Sequence, residues 1–128
     1  MEKTDPIQIL AIDDDEDARI LYRNIFKSSD FNLITASDGL DGIVELLSNP
    51  FDVIILDLDM PNMNGVETLY AIKQRKPGIP ILIISCNINN EVKDLFKSYQ
   101  GIWYLEKPIR VTQLTAKIKE LSTHSISE

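Results

Sequence analysis

Five positions in this chain carry side chains that could do chemistry together: Asp13, Asp14, Asp57, Ser85 and Lys107. Each ends or directly follows a short apolar run. Ile7–Ile12 leads into Asp13-Asp14, Val53-Ile54-Ile55-Leu56 stops at Asp57, 79–84 leads into Ser85, and 101–105 leads into Glu106-Lys107-Pro108. Three carboxylates gathered in one place repel one another and raise one another's pKa unless a cation joins them. A single lysine cannot balance three acids, so a bound divalent ion is the natural remedy. All-oxygen ligation without histidine or thiolate suits Mg²⁺, or Mn²⁺. A carboxylate beside such an ion can attack phosphorus and become an aspartyl-phosphate. The phosphoryl group in transfer spreads negative charge over three oxygens. The ion, the Lys107 ammonium, and the Ser85 hydroxyl with a nearby backbone N–H would supply the opposing charge and donors. X–Pro bonds alone reach the cis form at modest cost, and a cis Lys107-Pro108 bond would turn the lysine back over the site.

The elements that must bring these residues together follow from hydrophobic pattern and turn signals. The stretch 51–65, FDVIILDLDMPNMNG, organises the rest. Its apolar run bounded by turn residues reads as a central parallel strand buried on both faces. Asp57 then sits at the carboxyl end, where open α/β sheets place their ligands. Around it, Ile7–Ile12 and Phe31–Ala36 read as strands one and two, 79–84 as strand four and 101–105 as strand five. Helices are expected at 17–28 (Ile20, Leu21, Ile25 and Phe26 inward), 40–47 (Ile43, Val44, Leu47), Gly65–Arg75 (Val66, Leu69, Ile72), 90–98 (Val92, Leu95, Phe96) and Val111–Leu121 (Leu114, Ile118, Leu121). Residues 122–128 read as a polar, frayed tail. Five alternations of strand and helix with short connections imply one parallel sheet, right-handed crossovers and helices on both faces. All the strand ends of such a sheet share one edge, so the five residues converge there. The acids after strand one also have a purely structural reading, as caps of the helix that follows. Capping does not account for Asp57, Ser85 and Lys107.

Composition narrows the class. The 128 residues suit a single domain, with a core from about 7 to 121, and the balance of 44% hydrophobic to 26% charged residues is that of a globular protein. A net charge of −7 speaks against direct nucleic-acid binding, which needs a basic footprint. The single cysteine, Cys86, rules out an internal disulfide or a cysteine metal cluster and fits a reducing compartment. No run approaches the roughly 20 apolar residues of a membrane span, and acids follow the first strand too soon for a signal peptide. A cytoplasmic location and no membrane association are expected.

The acid pair after strand one, ILDLDMPNMNG around Asp57, the serine after strand four and YLEKP after strand five resemble the receiver domain of two-component response regulators, chemotaxis-regulator-like. The resemblance covers about residues 7–121, with four blocks in the right order. It implies a flavodoxin-like sheet of order 2-1-3-4-5. It implies that Asp57 accepts a phosphoryl group from a histidine kinase or phosphotransfer protein, and that the chain catalyses only its own phosphorylation and dephosphorylation. It implies Asp14 and Asp57 as direct Mg²⁺ ligands, Asp13 through metal-bound water, and the backbone carbonyl of Asp59 completing the set. Ser85 and Tyr104 match the family's switch pair, which would remodel the face of helix four, strand five and helix five for a downstream protein or output domain. The state would be a monomer or a phosphorylation-dependent dimer.

Three details depart from the family pattern. Asp59 adds an acid two residues after the phospho-acceptor; it is either solvated or, with Asn87, tunes phosphoryl lifetime by controlling access of the attacking water. Cys86 stands where a smaller residue is usual; its backbone N–H is the expected phosphate donor and its thiol is read as filler. The approach to strand five, Tyr99-Gln100-Gly101-Ile102-Trp103, is about one residue short. Trp103 is either an exposed partner anchor or half-buried at the sheet edge. His124, in the tail, reads as a solvated residue and not as a phosphorelay histidine.

Two other functions compete. The motif across Ile54–Met60 also resembles that of haloacid dehalogenase-type phosphatases, where Asp59 would be the general acid/base; against this, the acid pair lies upstream of Asp57 and little chain remains for a cap. A receiver fold that signals by contact without phosphorylation is the other. Both a stand-alone receiver and a segment of a longer regulator fit the sequence.

Overall fold

The computed structural model describes residues 5–59 and 65–124; the turn with Pro61 and its two asparagines lies outside them. Strands and helices alternate as β1 (Ile7–Ile12), α1 (Glu16–Ile25), β2 (Phe31–Ala36), α2 (Gly39–Ser48), β3 (Val53–Asp57), α3 (Gly65–Arg75), β4 (Ile81–Ser85), α4 (Asn90–Phe96), β5 (Ile102–Glu106) and α5 (Val111–Leu121). All neighbouring strands are parallel, in the order β2-β1-β3-β4-β5 expected from the flavodoxin-like resemblance.

The unbroken apolar runs are explained by two-sided burial. On one face, Leu10, Ile12, Ile54, Leu56, Ile81 and Ile83 pack against α2, α3 and α4 through Leu46, Leu69, Ile72 and Phe96. On the other, Ile9, Ala11, Val53, Ile55, Leu82 and Ile84 meet α1 and α5 through Tyr22, Phe26, Leu114 and Ile118. Each fully buried Leu or Ile contributes about 1.5–3 kcal/mol by leaving water, so the two layers hold the sheet rigidly beneath its edge.

Several helix faces differ from the sequence pattern. In α1 the buried residue is Tyr22, with Phe26 buried just past its C-terminus, while Ile20 and Leu21 are each 44% exposed. The Tyr22 ring packs in the apolar layer on this face while its hydroxyl donates to the Asp13 carboxylate, a partner that hydrophobic spacing does not reveal. In α2 the inward side is Gly42 and Leu46, leaving Val44 and Leu47 53% and 61% exposed. Gly42 explains the rotation: a Cβ there would lie 2.5 Å from the Ile12 Cδ1 atom, so the helix backbone itself rests on β1. Val66 and Leu95 are likewise outward. Strands β4 and β5 start two and one residues later than expected and reach Ser85 and Glu106.

Buried Lys73 anchors the connection into β5. Its ammonium donates to the carbonyls of Gln100 (2.7 Å), Pro77 (3.2 Å) and Ile79 (3.4 Å). Burial pushes its pKa down. Gly101 follows at φ 76°, a left-handed conformation that glycine alone adopts without strain. The short approach to β5 is thus closed by a side chain from α3. Replacing Lys73 with Met is expected to cost about 1–3 kcal/mol, since it orphans carbonyls away from water; a urea midpoint unchanged from wild type would contradict this.

Candidate functional site

Register sets the edge. Ile12 pairs with Leu56 and Asp57 with Ile84, so Asp13 and Asp57 lie level; Ser85 pairs with Glu106, which places Lys107 next beyond. A Lys107 N–H bond to the Ser85 carbonyl (2.9 Å) extends the ladder to the lysine itself. The Lys107-Pro108 peptide is cis. The residues expected to converge do so.

The five consecutive acids after β1, Asp13 to Asp17, divide their work. Asp15 caps α1, accepting from the Asp17 N–H at 3.1 Å. Asp13 is 1% exposed. One of its oxygens accepts from the Asp15 N–H (3.0 Å) and the other from the Tyr22 hydroxyl (3.2 Å). Arg19 donates to the Asp13 carbonyl at 2.8 Å. Neither Tyr22 nor Arg19 was apparent from the sequence, since both support Asp13 from the next helix and carry no motif of their own.

Asp13, Asp14 and Asp57 each offer a carboxylate oxygen, and these oxygens lie within 4.8 Å of one another. Desolvation, with the Asp57 charge beside it, raises the Asp13 pKa to about 6. Burial is the larger cause, and the repulsion expected of crowded acids adds to it. The single ammonium at this edge among the described residues, Lys107, lies 3.1 Å from Asp57 Oδ1 and 3.4 Å from Asp59 Oδ2. Desolvation opposes its charge, but the two carboxylates outweigh it and raise its pKa. Three oxygens from three acids, no nitrogen or sulfur donor, and a net negative edge fit a hard divalent cation such as Mg²⁺.

Asp59 is not simply solvated. Its Oδ1 accepts from the Ser85 hydroxyl (2.8 Å) and its Oδ2 from the Cys86 N–H (2.6 Å). Partial burial alone would raise its pKa, yet these donors and Lys107 bring it below the ordinary carboxylate value. The same carboxylate pushes the exposed Cys86 thiol up, so the thiolate is disfavoured, in keeping with a thiol that is not a redox sensor. Exposed Asn87 donates its N–H to Ser85 Oγ (3.2 Å).

The β4–α4 loop is also tied to β5, since the Ile88 N–H donates to the Glu106 carboxylate at 3.0 Å. Tyr104, half-buried, packs against the α2–α3–α4 side of the core. Trp103 is half-buried against the opposite layer, its ring centroid 5.3 Å from that of His124. It takes the sheet-edge alternative, and the exposed His124 covers it. Among the described residues, no helix is long and apolar enough to cross a membrane.

Known proteins share both sequence and shape with this chain. The Staphylococcus aureus response regulator ArlR is 32% identical over 114 residues, which are 89% of this chain and 52% of ArlR. The chain thus spans about half the length of the curated relatives it matches. The chemotaxis protein CheY4 of Vibrio cholerae superposes with a TM-score of 0.84 at 26% identity, covering 91% of this chain and 98% of that one. A CheY-like response regulator receiver domain protein from Methanospirillum hungatei gives 0.80 at 25% identity, covering 91% and 94%. The family model described as the response regulator receiver domain matches residues 9–119. That match begins inside β1 and ends inside α5, taking in all five strand ends and their acidic edge together, and the chain therefore belongs to the response regulator receiver domain family of two-component signalling.

Proposed function

We propose that Asp57 is a phospho-acceptor, charged by a histidine kinase or phosphotransfer protein, and that the chain acts as a Mg²⁺-dependent switch for a downstream protein or output domain. The observation that carries this is the placement of Asp57. Its side chain is 4% exposed, its Oδ1 is 3.1 Å from the Lys107 ammonium, and it shares a cluster with Asp13 and Asp14. Asp14 and Asp57 would hold the ion directly, Asp13 through water, and the Asp59 carbonyl would complete the set; the bound ion supplies charge neutralisation and a template for in-line transfer.

The remaining work falls to the chain. Lys107 steadies the Asp57 carboxylate and then a phosphoryl oxygen. The Ser85 hydroxyl and the Cys86 N–H supply hydrogen bonds to another. Ser85 and Tyr104 form the switch: a shift of the β4–α4 loop toward the new charge opens space for the aromatic ring and remodels the α4–β5–α5 face. The phosphoryl group biases that equilibrium only through contacts that differ between the two states. Asp59 and Asn87 tune the lifetime of the acyl phosphate, and the chain has no turnover beyond its own phosphorylation and dephosphorylation. The acidic edge gives no footing for nucleic acid. The receiver-family match over residues 9–119 supports this reading over the dehalogenase-type one, in which the acid pair lies downstream.

The test is intact mass after incubation with Mg²⁺ and acetyl phosphate. One added phosphoryl group that needs Mg²⁺ and is absent from Asp57→Asn is the expected result. No modification of wild type at any Mg²⁺ concentration would favour a module that signals by contact alone.

A further inference from the structure

We propose that the Asp59 carboxylate is a resident occupant of the phosphoryl-oxygen subsite, which a phosphoryl group on Asp57 must displace. This rests on the reading of Asp57 as phospho-acceptor. The three donors assigned to the phosphoryl oxygens are the Ser85 hydroxyl, the Cys86 N–H and the Lys107 ammonium. In the unphosphorylated chain all three meet one side chain: Ser85 Oγ at 2.8 Å from Asp59 Oδ1, Cys86 N at 2.6 Å and Lys107 Nζ at 3.4 Å from Asp59 Oδ2. Lys107 stands between this carboxylate and Asp57, 3.1 Å from the latter.

The chemistry of the two occupants is alike in kind and different in degree. A carboxylate offers two oxygens and one negative charge, whereas an aspartyl-phosphate offers three oxygens and a charge near −2. Charge-assisted hydrogen bonds of this sort are about twice as strong as neutral ones. The phosphoryl group therefore wins the donors, but against a competitor already bound to them. Both occupants are anions, so Asp59 must swing out as the phosphoryl group enters, and its side chain, 30% exposed, has solvent to move into. The Ser85 hydroxyl is already turned toward the site before phosphorylation. Phosphorylation exchanges its partner, which narrows the difference in contacts that drives the switch. An alanine or serine at position 59 would leave the same donors waiting for the phosphoryl group.

The experiment compares wild type with Asp59→Ala and Asp59→Ser in two arms. In the first, ¹H–¹⁵N spectra of the metal-free proteins follow the Cys86 amide. It should stand downfield in wild type and move upfield in both variants, while amides of β1 and α5 stay in place and report intact folding. In the second, beryllofluoride with Mg²⁺ is titrated as an acyl-phosphate analogue. Both variants should bind it at least about tenfold more tightly, the release of a charged hydrogen bond expressed as affinity. A Cys86 amide indifferent to residue 59, or equal beryllofluoride affinity in wild type and variants, overturns the proposal while leaving Asp57 as acceptor. Failure of beryllofluoride to bind any of the three, with no mass gain from acetyl phosphate, removes the acceptor reading and this proposal with it.

Discussion

Lys107→Met is expected to slow phosphorylation of Asp57 by acetyl phosphate on the order of 100-fold, the usual consequence of removing one preorganised donor from a developing oxyanion. The ammonium is 3.1 Å from the Asp57 oxygen and is held there by its backbone bond to Ser85. Methionine keeps the stem and removes only the charge. Affinity for Mg²⁺ should not fall with the rate, because the ammonium and a cation compete for the same carboxylates; a modest gain is the expected sign. Arginine should restore the rate only in part, since its planar fork does not reproduce a compact ammonium. The measurement is an intact-mass time course at saturating Mg²⁺, paired with a metal titration. An unchanged rate would show that Lys107 plays no part in transfer, and a parallel loss of rate and Mg²⁺ affinity would show that it acts through the fold.

Asp13→Asn should stabilise the metal-free protein at neutral pH, by about 2–3 kcal/mol. The Asp13 pKa rises from 3.8 to about 6 in the folded chain. A carboxyl group with a raised pKa binds its proton more tightly when folded. Its contribution is therefore fully favourable below about pH 3.8, declines as pH rises, and is lost above about 6. Asparagine removes that decline. It keeps an acceptor for the Asp15 N–H, and the Tyr22 hydroxyl can turn to accept from its amide. The quantity to follow is the difference in urea midpoint between variant and wild type, with chelator present, from pH 4.5 to 8. It should grow with pH and level off above about 6. Added Mg²⁺ should reverse the order at pH 7.5, because an ion that needs ionised carboxylates stabilises the wild type more. A difference that does not vary with pH would mean that Asp13 is not electrostatically burdened.

The strands were legible because two-sided burial writes itself as unbroken apolar runs, as in Val53–Asp57, where every residue is buried. The helices were legible as segments but not always as faces. In α1 and α2 the inward residues include Tyr22, whose hydroxyl donates to the Asp13 carboxylate, and Gly42, buried through its lack of a side chain. Neither registers on a scale of hydrophobicity. Lys73 is the same case in α3: a charged residue buried against three carbonyls, two from the turn that follows its own helix and one, that of Gln100, 27 residues away.

By itself, the sequence determined the five alternations of strand and helix, the parallel sheet, and the convergence of Asp13, Asp14, Asp57, Ser85 and Lys107, because period and strand-end position are local properties of a chain. Only the tertiary structure decided how the acids share the edge. Asp15 caps a helix, Asp13 is gripped by Tyr22 and crowded by Asp57, and Asp59 is held by donors 26 and 27 residues away. The charge of a carboxylate is written in the sequence, but its partners are set by which strand ends lie side by side, and that is a property of the packed sheet.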